Sequence, residues 1–294
     1  MVRNRWLYFM LLPGCLYFIV FKYVPMWGVI IAFQNYQPYL GIAGSDWVGA
    51  RHFIRLFTEP TFYMLLKNTL MIFLWNICFS FPFPIILALL LNEMGRQVYK
   101  RVIQSLIYIP HFMSWVIVVS LSYILLTTEG GLINELIVMM GGEKINFLLS
   151  EQWFRPIYVI QNIWKEAGWG TIIYLAALAG VDLQLYEAAR IDGANRLRQL
   201  WHITLPAIRS TIVILFILRV GDILELSFDQ VFLMINAMNR SVAEIFDTYV
   251  YTAGIMQGLY SYSTAVGLFK SAVGLVMVLI ANHLSKRFGE EGIF

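Results

Sequence analysis

A short polar segment between two long apolar runs has the residues best suited to bind another protein. It reads Glu187-Ala188-Ala189-Arg190-Ile191-Asp192-Gly193, and Ile203-Thr204-Leu205-Pro206 follows after nine further residues. Glu187 offers an exposed negative charge that can pair with an arginine of a partner. Ala188 and Ala189 keep a helix slim, so that another protein can approach it closely. The segment therefore predicts a docking surface rather than a reaction centre.

Residues on either side of this segment predict the helices in which it lies. The Asp182 carboxylate can cap the N-terminus of a helix, and we expect that helix to run from Asp182 to Asn195, ending or bending near Gly193. Thr204 can cap the next membrane helix, and Pro206 is tolerated in the first turn of that helix. We therefore expect a short surface helix followed closely by a membrane span.

Composition predicts the surroundings of the segment. Of the 294 residues, 59% are hydrophobic and 13% are charged, whereas an ordinary soluble domain has about 25% charged residues. This deficit predicts a membrane protein with several spans. The formal charge of +3 is too small and too dispersed for a nucleic-acid-binding protein. Cys15 and Cys78 lie inside apolar runs, where their spacing suits neither a metal site nor a disulfide framework.

Several apolar segments are long enough to cross a bilayer, which takes about 20 residues as a helix. There are six, at residues 6–33, 61–91, 105–126, 154–180, 207–234 and 262–284. The first follows Arg3 and Arg5, as in a signal peptide, but it continues past Pro25 without a small-residue cleavage site. We therefore expect a retained first helix.

Basic residues predict the orientation of these spans. With the N-terminus in the cytoplasm, the inner segments contain Arg3, Arg5, Arg96, Lys100, Arg101, Arg190, Arg196, Arg198, Arg209, Lys286 and Arg287. The outer segments contain only Arg51, Arg55, Lys144, Arg155 and Arg240. The positive-inside rule therefore predicts that both termini are cytoplasmic. In an outer connection, apolar residues at helical spacing over 131–140 predict a short amphipathic helix on the outer membrane surface.

The polar segment resembles the cytoplasmic signature, or EAA motif, of permease subunits of binding-protein-dependent ABC importers. The matching residues are Glu187, Ala188, Ala189, Gly193, Ile203, Leu205 and Pro206. Asp192 and Ala194 extend the match to the Asp-Gly-Ala form common among sugar importers. Further stretches are similar to permeases for complex oligosaccharides and polysaccharides, including alginate- and pectin-fragment importers. These stretches are residues 162–180, 228–233, 247–250 and 262–271. Ser210 departs from the pattern, since many relatives have a second proline there.

The resemblance implies an all-α membrane protein of the bacterial cytoplasmic (inner) membrane, with the type I ABC importer transmembrane fold and six spans. Residues 1–60 would form the first span and an outer loop. Residues 61–286 would form the transmembrane core, with a coupling segment at 182–206, and residues 287–294 would be a cytoplasmic tail.

The resemblance also implies partners and a mechanism. Two permeases would pair as a heterodimer, and each would place its coupling helix in a cleft of a separate ATPase subunit. ATP-driven closure of the ATPases would turn the cavity from inward-facing to outward-facing, and a solute-binding protein would deliver the oligosaccharide. The chain has no G-x-x-x-x-G-K-[ST] phosphate loop. We therefore expect ATP and Mg to bind the ATPases, and this chain to have no catalytic residue, cofactor or metal site.

Polar and aromatic side chains inside the spans are candidates for the substrate path, because ionisable groups at membrane depth are costly and usually face a cavity or a partner. These candidates are Asn162, Trp164, Lys165, Tyr174, Arg219, Asp222, Tyr249 and Lys270. The three basic residues Lys165, Arg219 and Lys270 could together favour an anionic sugar such as a uronic-acid oligomer. The sequence leaves a neutral sugar open.

Several polar residues of the spans also have a purely structural interpretation. Lys165 and Glu166 could lie at a helix end, and Arg219 could pair with a nearby acid or with the other permease. Asn68 and Asn76 are expected to join helices by hydrogen bonds.

The sequence leaves three other classes of function open. Import of another solute by the same superfamily is the nearest alternative. An ATP-independent channel or a structural anchor would leave residues 182–206 unexplained. A membrane-embedded enzyme is disfavoured, because His52, His111, His202 and His283 are scattered and no catalytic motif accompanies them.

Overall fold

The computed structural model describes residues 5–221, 223–224 and 226–287, and these residues are mostly helical. The α-helices are α1 Arg5–Phe18, α2 Val24–Met26, α3 Gly41–Gly44, α4 Arg51–Thr58, α5 Pro60–Trp75, α6 Pro82–Asn92, α7 Gln97–Tyr108, α8 Trp115–Leu126, α9 Leu132–Met139, α10 Glu151–Ala179, α11 Leu183–Ile191, α12 Arg196–Gln199, α13 Leu205–Ala207, α14 Arg209–Gly221, α15 Phe228–Met234, α16 Arg240–Ala243, α17 Phe246–Val250 and α18 Tyr260–Arg287. Two 3₁₀-helices cover Trp27–Phe33 and Ile109–Phe112. Strands β1 (Gln34–Asn35) and β2 (Asp46–Trp47) form an antiparallel pair, with Gln34 opposite Trp47.

The described chain divides into two compact units. One unit takes the residues up to Tyr63 together with Phe246–Ala272, and the other takes Met64–Ile245 together with the residues from Val273 onward. The first unit has an aromatic cluster in which the Phe62 and Phe269 ring centroids are 5.4 Å apart. The second unit packs around α10, whose Tyr158 is almost fully buried among apolar side chains. α10 is therefore the central helix of the second unit.

Long apolar helices account for the predicted spans, although not all of them are straight. The continuous stretches Tyr8–Phe33, Pro60–Asn92 and Tyr260–Arg287 are each long and apolar enough to cross a membrane. Three further helix pairs pass the same test only when they are taken together across a bend. These are Gln97–Phe112 with Trp115–Leu126 (101°), Glu151–Ala179 with Leu183–Ile191 (70°), and Arg196–Ala207 with Arg209–Gly221 (59°). The described residues thus contain three possible spans, or up to six if each bent pair is one span.

Two of the predicted spans are interrupted. Residues 105–126 are not one helix, because the chain leaves its helical path at Met113 and Ser114 starts α8, its side chain accepting a hydrogen bond from the Ile117 N–H (3.4 Å). Residues 207–234 are also not one helix, because α14 ends at Gly221 and α15 begins at Phe228. Glycine favours a helix end, and the intervening residues are rich in acids. Hydropathy predicted each of these two stretches as one continuous helix, whereas the backbone of each stretch is broken into separate helices.

Three membrane-helix segments contain a π-turn directly before a proline. They are Ile19–Tyr23 before Pro25, Asn76–Ser80 before Pro82, and Leu200–Thr204 before Pro206. In each case the residue before the proline donates its N–H five residues back, as Phe81 does to the Asn76 carbonyl (2.9 Å). A proline ring clashes with the carbonyl four residues before it in a regular helix. The wider turn accommodates the ring, so the helix continues beyond Pro25 and Pro82. Beyond Pro206 the chain instead bends by 59° between Ala207 and Arg209.

A short helix is present where an amphipathic helix was predicted at 131–140: α9 runs over Leu132–Met139. Leu136 and Met139 are exposed, as an interfacial helix requires. Asn134, a polar residue of this helix, is fully buried at 0% exposure. Its amide donates to the carbonyls of Leu126, Thr127 and Ile145 and accepts from the Ile145 N–H. Asn134 therefore fastens α9 to the chain on either side of it.

Candidate functional site

The Glu187-Ala188-Ala189 segment lies on α11, a helix with a well-formed start. The Asp182 Oδ1 accepts a hydrogen bond from the Gln184 N–H at 2.9 Å, which confirms Asp182 as the cap. Glu187 and Ala188 are exposed, and Ala189 is half-buried. The helix is shorter than predicted, because it ends at Ile191 rather than continuing to Asn195. The exposed part of the motif thus lies on little more than two helical turns.

Gly193 terminates α11 in a Schellman motif. Its φ is +77°, its N–H donates to the Arg190 carbonyl (3.1 Å), and the Ala194 N–H donates to the Ala189 carbonyl (2.8 Å). Residues with a Cβ are strained at this φ, so glycine is the favoured residue. Asn195 then caps α12 by accepting from the Arg198 N–H (2.9 Å). Two capped helices therefore follow one another with a defined turn between them.

A chain of hydrogen bonds joins α11 to the helix that follows. The Tyr186 hydroxyl lies 3.0 Å from the Thr204 hydroxyl, which also donates to the Gln199 carbonyl (3.4 Å). The Gln199 side chain donates in turn to the Ala194 carbonyl (2.9 Å). The prediction that Thr204 caps the next helix is wrong, because its side chain makes no cap hydrogen bond there and instead bonds to α11. These hydrogen bonds connect α11 directly to residue 204.

The remaining residues of the motif follow the same pattern. Asp192 is exposed at the end of α11, and Ala194, Ile203 and Leu205 are half-buried. Pro206 lies in the first turn of α13, as predicted.

Apolar side chains are exposed around the motif. Leu183 is 73% exposed and Ile191 is 88% exposed, and Leu197 and Trp201 are also largely uncovered. A cluster of exposed apolar side chains beside charged ones is typical of a protein–protein interface.

A second feature is a cavity of about 360 Å³ in the second unit. α10 and α14 supply most of its polar lining, and the chain around Ser80 and Pro84 closes another side. Of the predicted substrate-path residues, Asn162, Tyr174 and Arg219 line it. Glu166 and Trp169 line it as well. The cavity thus combines an amide, a carboxylate, a guanidinium and aromatic rings, which are the groups that bind sugar hydroxyls and ring faces.

An ion-pair cluster forms the side of this cavity at Glu166. Lys165 is only 6% exposed; its ammonium donates to the His111 carbonyl (2.6 Å) and pairs with Glu166 Oε1 (3.0 Å). Glu166 Oε2 lies 2.7 Å from His111 Nδ1. The His111 ring stacks on Trp169, with centroids 4.5 Å apart and planes 3° apart.

This cluster changes the interpretation of two residues. Lys165 and Glu166 are not at a helix end but in the middle of α10. His111 was not among the predicted site residues. It lies 55 positions from Glu166 in the sequence, and no local spacing signals that the two residues meet.

The other substrate-path candidates lie elsewhere. Trp164 lines a separate apolar cavity between α6, α7 and α10. Asp222 lies outside the described residues. Asn68 joins two elements, as predicted for a residue that fastens helices, because its amide donates to the carbonyls of Ser241 (2.9 Å) and Glu244 (3.1 Å).

Tyr249 and Lys270 belong to the first unit, where each contacts an acid. The Tyr249 and Tyr262 hydroxyls donate to Glu59 Oε2 at 3.5 and 2.9 Å. Arg55 donates to Glu59 Oε1 at 2.6 Å. Burial raises the pKa of the Glu59 carboxyl, but hydrogen bonds from Arg55 and the two tyrosines outweigh it and leave the pKa below its ordinary value. Lys270 forms an ion pair with Asp247.

In the part of the chain that the structure describes, no three His, Cys, Asp or Glu side chains lie together as metal ligands would.

Comparison with known proteins adds to this geometry. Residues 80–290 match the family described as "Binding-protein-dependent transport system inner membrane component". The chain is 69% identical over 294 residues to the polygalacturonan/rhamnogalacturonan transport system permease protein YteP of Bacillus subtilis (strain 168), covering 100% of this chain and 92% of the relative. It is 59% identical over 292 residues to Protein LplB of the same organism, covering 99% and 92%.

Solved structures agree with these relatives. The crystal structure of a bacterial alginate ABC transporter, in complex with its alginate pentasaccharide-bound periplasmic protein, contains a chain with a TM-score of 0.91 and 40% identity. The similarity covers 99% of this chain and 97% of that chain. Since both the sequence match and the fold extend over most of its length, this chain has the type I ABC permease fold and belongs to the family of binding-protein-dependent transport system inner membrane components.

Proposed function

We propose that this chain is one of two permease subunits in an ATP-driven importer of oligosaccharides or polysaccharide fragments. Its partners are a second permease, two cytoplasmic ATPase subunits and a solute-binding protein. The names of its relatives support this assignment, since one transports polygalacturonan and rhamnogalacturonan and another belongs to an alginate transporter complexed with its binding protein. The chain is the transport path, and ATP hydrolysis belongs to the ATPases.

The observation that carries the proposal is the connection from α11 to the cavity. Glu187, Ala188 and Ala189 present a capped helix for insertion into a cleft of an ATPase, and Asp192, Gly193 and Ala194 form its closing turn. The Tyr186–Thr204 hydrogen bond passes a displacement of α11 to the π-turn that precedes α13. α14 follows α13 directly and ends near Arg219, which lines the cavity. Closure of the ATPases would thus move one wall of the substrate path.

We propose six spans with both termini in the cytoplasm. The three continuous stretches and the three bent pairs supply six candidates; in the pair that contains α11, α10 is the proposed span and α11 is the cytoplasmic helix that follows it. The asymmetric distribution of basic residues supports the orientation. In this arrangement residues 1–60 form the first span and an outer loop, residues 61–286 the transmembrane core, and residues 287–294 a cytoplasmic tail.

The cavity of about 360 Å³ is our candidate for part of the sugar path. Asn162 and Tyr174 can hydrogen-bond to hydroxyl groups, and Trp169 offers an aromatic surface. Lys165 and Lys270 are both paired with acids, so the positive charge available for a uronate falls mainly to Arg219. Relatives named for polygalacturonan and alginate transport favour an acidic chain over a neutral one.

The experiment uses the complete complex reconstituted in liposomes. Charge reversal, Glu187→Arg, combined with Gly193→Pro should reduce substrate-stimulated ATPase activity and uptake about tenfold, because a buried charge pair across an interface is lost. Membrane insertion should persist. The matched control is Glu143→Arg, which makes the same change at an exposed residue outside the coupling segment.

Two results would contradict the proposal. Full transport-coupled ATPase activity of the double variant would show that α11 is not the docking element. Faster uptake of neutral than of uronate oligosaccharides by the wild-type complex would overturn the acidic substrate.

A further inference from the structure

An open groove lies between α14 and α18 in the second unit. The two helices touch at one end, where a Cβ added to Gly221 would lie 2.4 Å from Val278 Cγ2 and a Cβ added to Gly274 would lie 3.2 Å from the Gly221 carbonyl oxygen. The groove lined by the two helices has a volume of about 400 Å³.

The groove is apolar along its length and polar at one end. One face of α14 and one face of α18 line it with Val213, Phe216, Ile217, Val220, Met277 and Ile280, among others. Its polar lining residues are Arg209 and Ser285, which both lie at the end away from Gly221. At a rise of 1.5 Å per residue, Arg209 is about 18 Å along the helix from Gly221. One leaflet of a bilayer is about 15 Å of hydrocarbon, so the groove has the length and polarity of one lipid chain with its head.

Ser285 gives a second and independent indication that the groove holds a ligand. Its side chain is 6% exposed, and among the described residues its hydroxyl has no hydrogen-bond partner. Buried hydroxyls are normally bonded, because leaving one unpaired costs free energy. Since Ser285 lines the groove, an acceptor in the groove would satisfy it.

Arg209 makes an anionic acceptor the best match. It begins α14, where the positive end of the helix dipole also favours negative charge. Lys286 and Arg287 follow Ser285 and add positive charge at the end of α18. A phosphate can accept from both the Arg209 guanidinium and the Ser285 hydroxyl.

We propose that this groove binds an anionic phospholipid, with an acyl chain between α14 and α18 and the phosphate against Arg209 and Ser285. In the topology proposed above, this end faces the cytoplasmic leaflet, where basic pockets between membrane helices bind anionic head groups. A helix of the second permease fits less well, because it would cover the apolar residues but bring no hydrogen-bond acceptor to Ser285.

The test measures lipid bound to the complete importer complex by native mass spectrometry. Delipidated complex is titrated with phosphatidylglycerol or with phosphatidylcholine that has the same acyl chains. We expect phosphatidylglycerol to bind more tightly, and Arg209→Gln to weaken its binding about tenfold through loss of a charge-assisted contact. Ala281→Phe, which fills the groove without changing the polar end, should reduce binding of both lipids. Arg101→Gln is the matched control, since Arg101 is exposed and does not line the groove.

Three outcomes would overturn the proposal. The first is equal binding of the two lipids, and the second is an equal effect of Arg209→Gln and Arg101→Gln. The third is efficient cross-linking of Ala281→Cys to the second permease, which would show that a protein helix fills the groove. If Ala281→Phe fails to assemble, the comparison of the two arginine variants still decides the question. The assay requires no transport, so it stands or fails separately from the proposed substrate.

Discussion

Gly168 lies where α10 crosses α7 with direct backbone contact, and its replacement by alanine tests the packing of the second unit. A Cβ added there would lie 1.9 Å from the Ile107 carbonyl oxygen and 2.5 Å from the Ile107 carbonyl carbon. These atoms belong to the backbone of a helix, so no side-chain rotation can relieve the clash. Gly168→Ala therefore has to push α7 and α10 apart.

The size of the effect follows from the distances. Ordinary contact begins at 3.4 Å, so the helices must separate by about 1.5 Å at this point, and overpacking of a core costs about 1–3 kcal/mol. Because the backbone itself has to move here, we expect a destabilisation at the upper end of this range, about 3 kcal/mol. With a shift of about 2–4 °C per kcal/mol for a domain of this size, we expect the unfolding temperature to fall by roughly 6–12 °C. The 2.7 Å contact between His111 and Glu166 should lengthen too, since both residues are close to this crossing.

The assay is thermal unfolding of the detergent-purified complex, followed by circular dichroism and by the fraction that stays monodisperse. Gly267→Ala is the matched control, because a Cβ at this α18 position would meet nothing within 4 Å. The control should be neutral, or stabilising by up to about 1 kcal/mol from the better helix propensity of alanine. Equal unfolding temperatures for Gly168→Ala and the wild type would refute the described contact between α7 and α10.

Two further predictions concern buried or hydrogen-bonded polar groups. Asn134→Ala removes four hydrogen bonds of a fully buried side chain, so it should destabilise the protein by about 3–4 kcal/mol. Thermal unfolding measures this effect, with Glu135→Ala, a variant of the exposed neighbouring residue, as the control. Equal unfolding temperatures of the two variants would contradict the prediction. Glu59 has a pKa below its ordinary value of 4.5, so its stabilising contribution is present above that value and is lost as the pH falls through the folded-state pKa. The unfolding temperatures of wild type and Glu59→Gln should therefore differ at neutral pH and converge in acid, and a constant difference would refute the linkage.

Elements determined by local sequence were predicted well. The Asp182 cap and the turn at Gly193 depend only on residues within a few positions of each other, so the residue types were sufficient to predict them. The apolar stretches that became Tyr8–Phe33, Pro60–Asn92 and α18 depend on composition alone. These are the features for which neighbouring residues determine the geometry.

Features that depend on packing were not predictable in this way. The 101° bend between α7 and α8 leaves the hydropathy of the segment unchanged, so a hydropathy window reports one span. His111 meets Glu166 close to the place where Gly168 lets α7 lie directly against α10. The hydrogen-bond partner of the Thr204 hydroxyl likewise depends on the fold, because Tyr186 lies close enough to bind this hydroxyl in place of the local backbone.

The π-turns before Pro25, Pro82 and Pro206 have a consequence for comparing this chain with its relatives. A π-turn takes up one residue more than an α-helical turn, and each α-helical residue advances about 100° around the axis. Within these helices, a residue before the π-turn and one after it therefore do not share a face at the usual spacing of three or four positions. A relative that lacks the proline can omit one residue there and keep all its other contacts. Single-residue gaps in alignments should concentrate at these three places, and helical wheels should be drawn separately on each side of them.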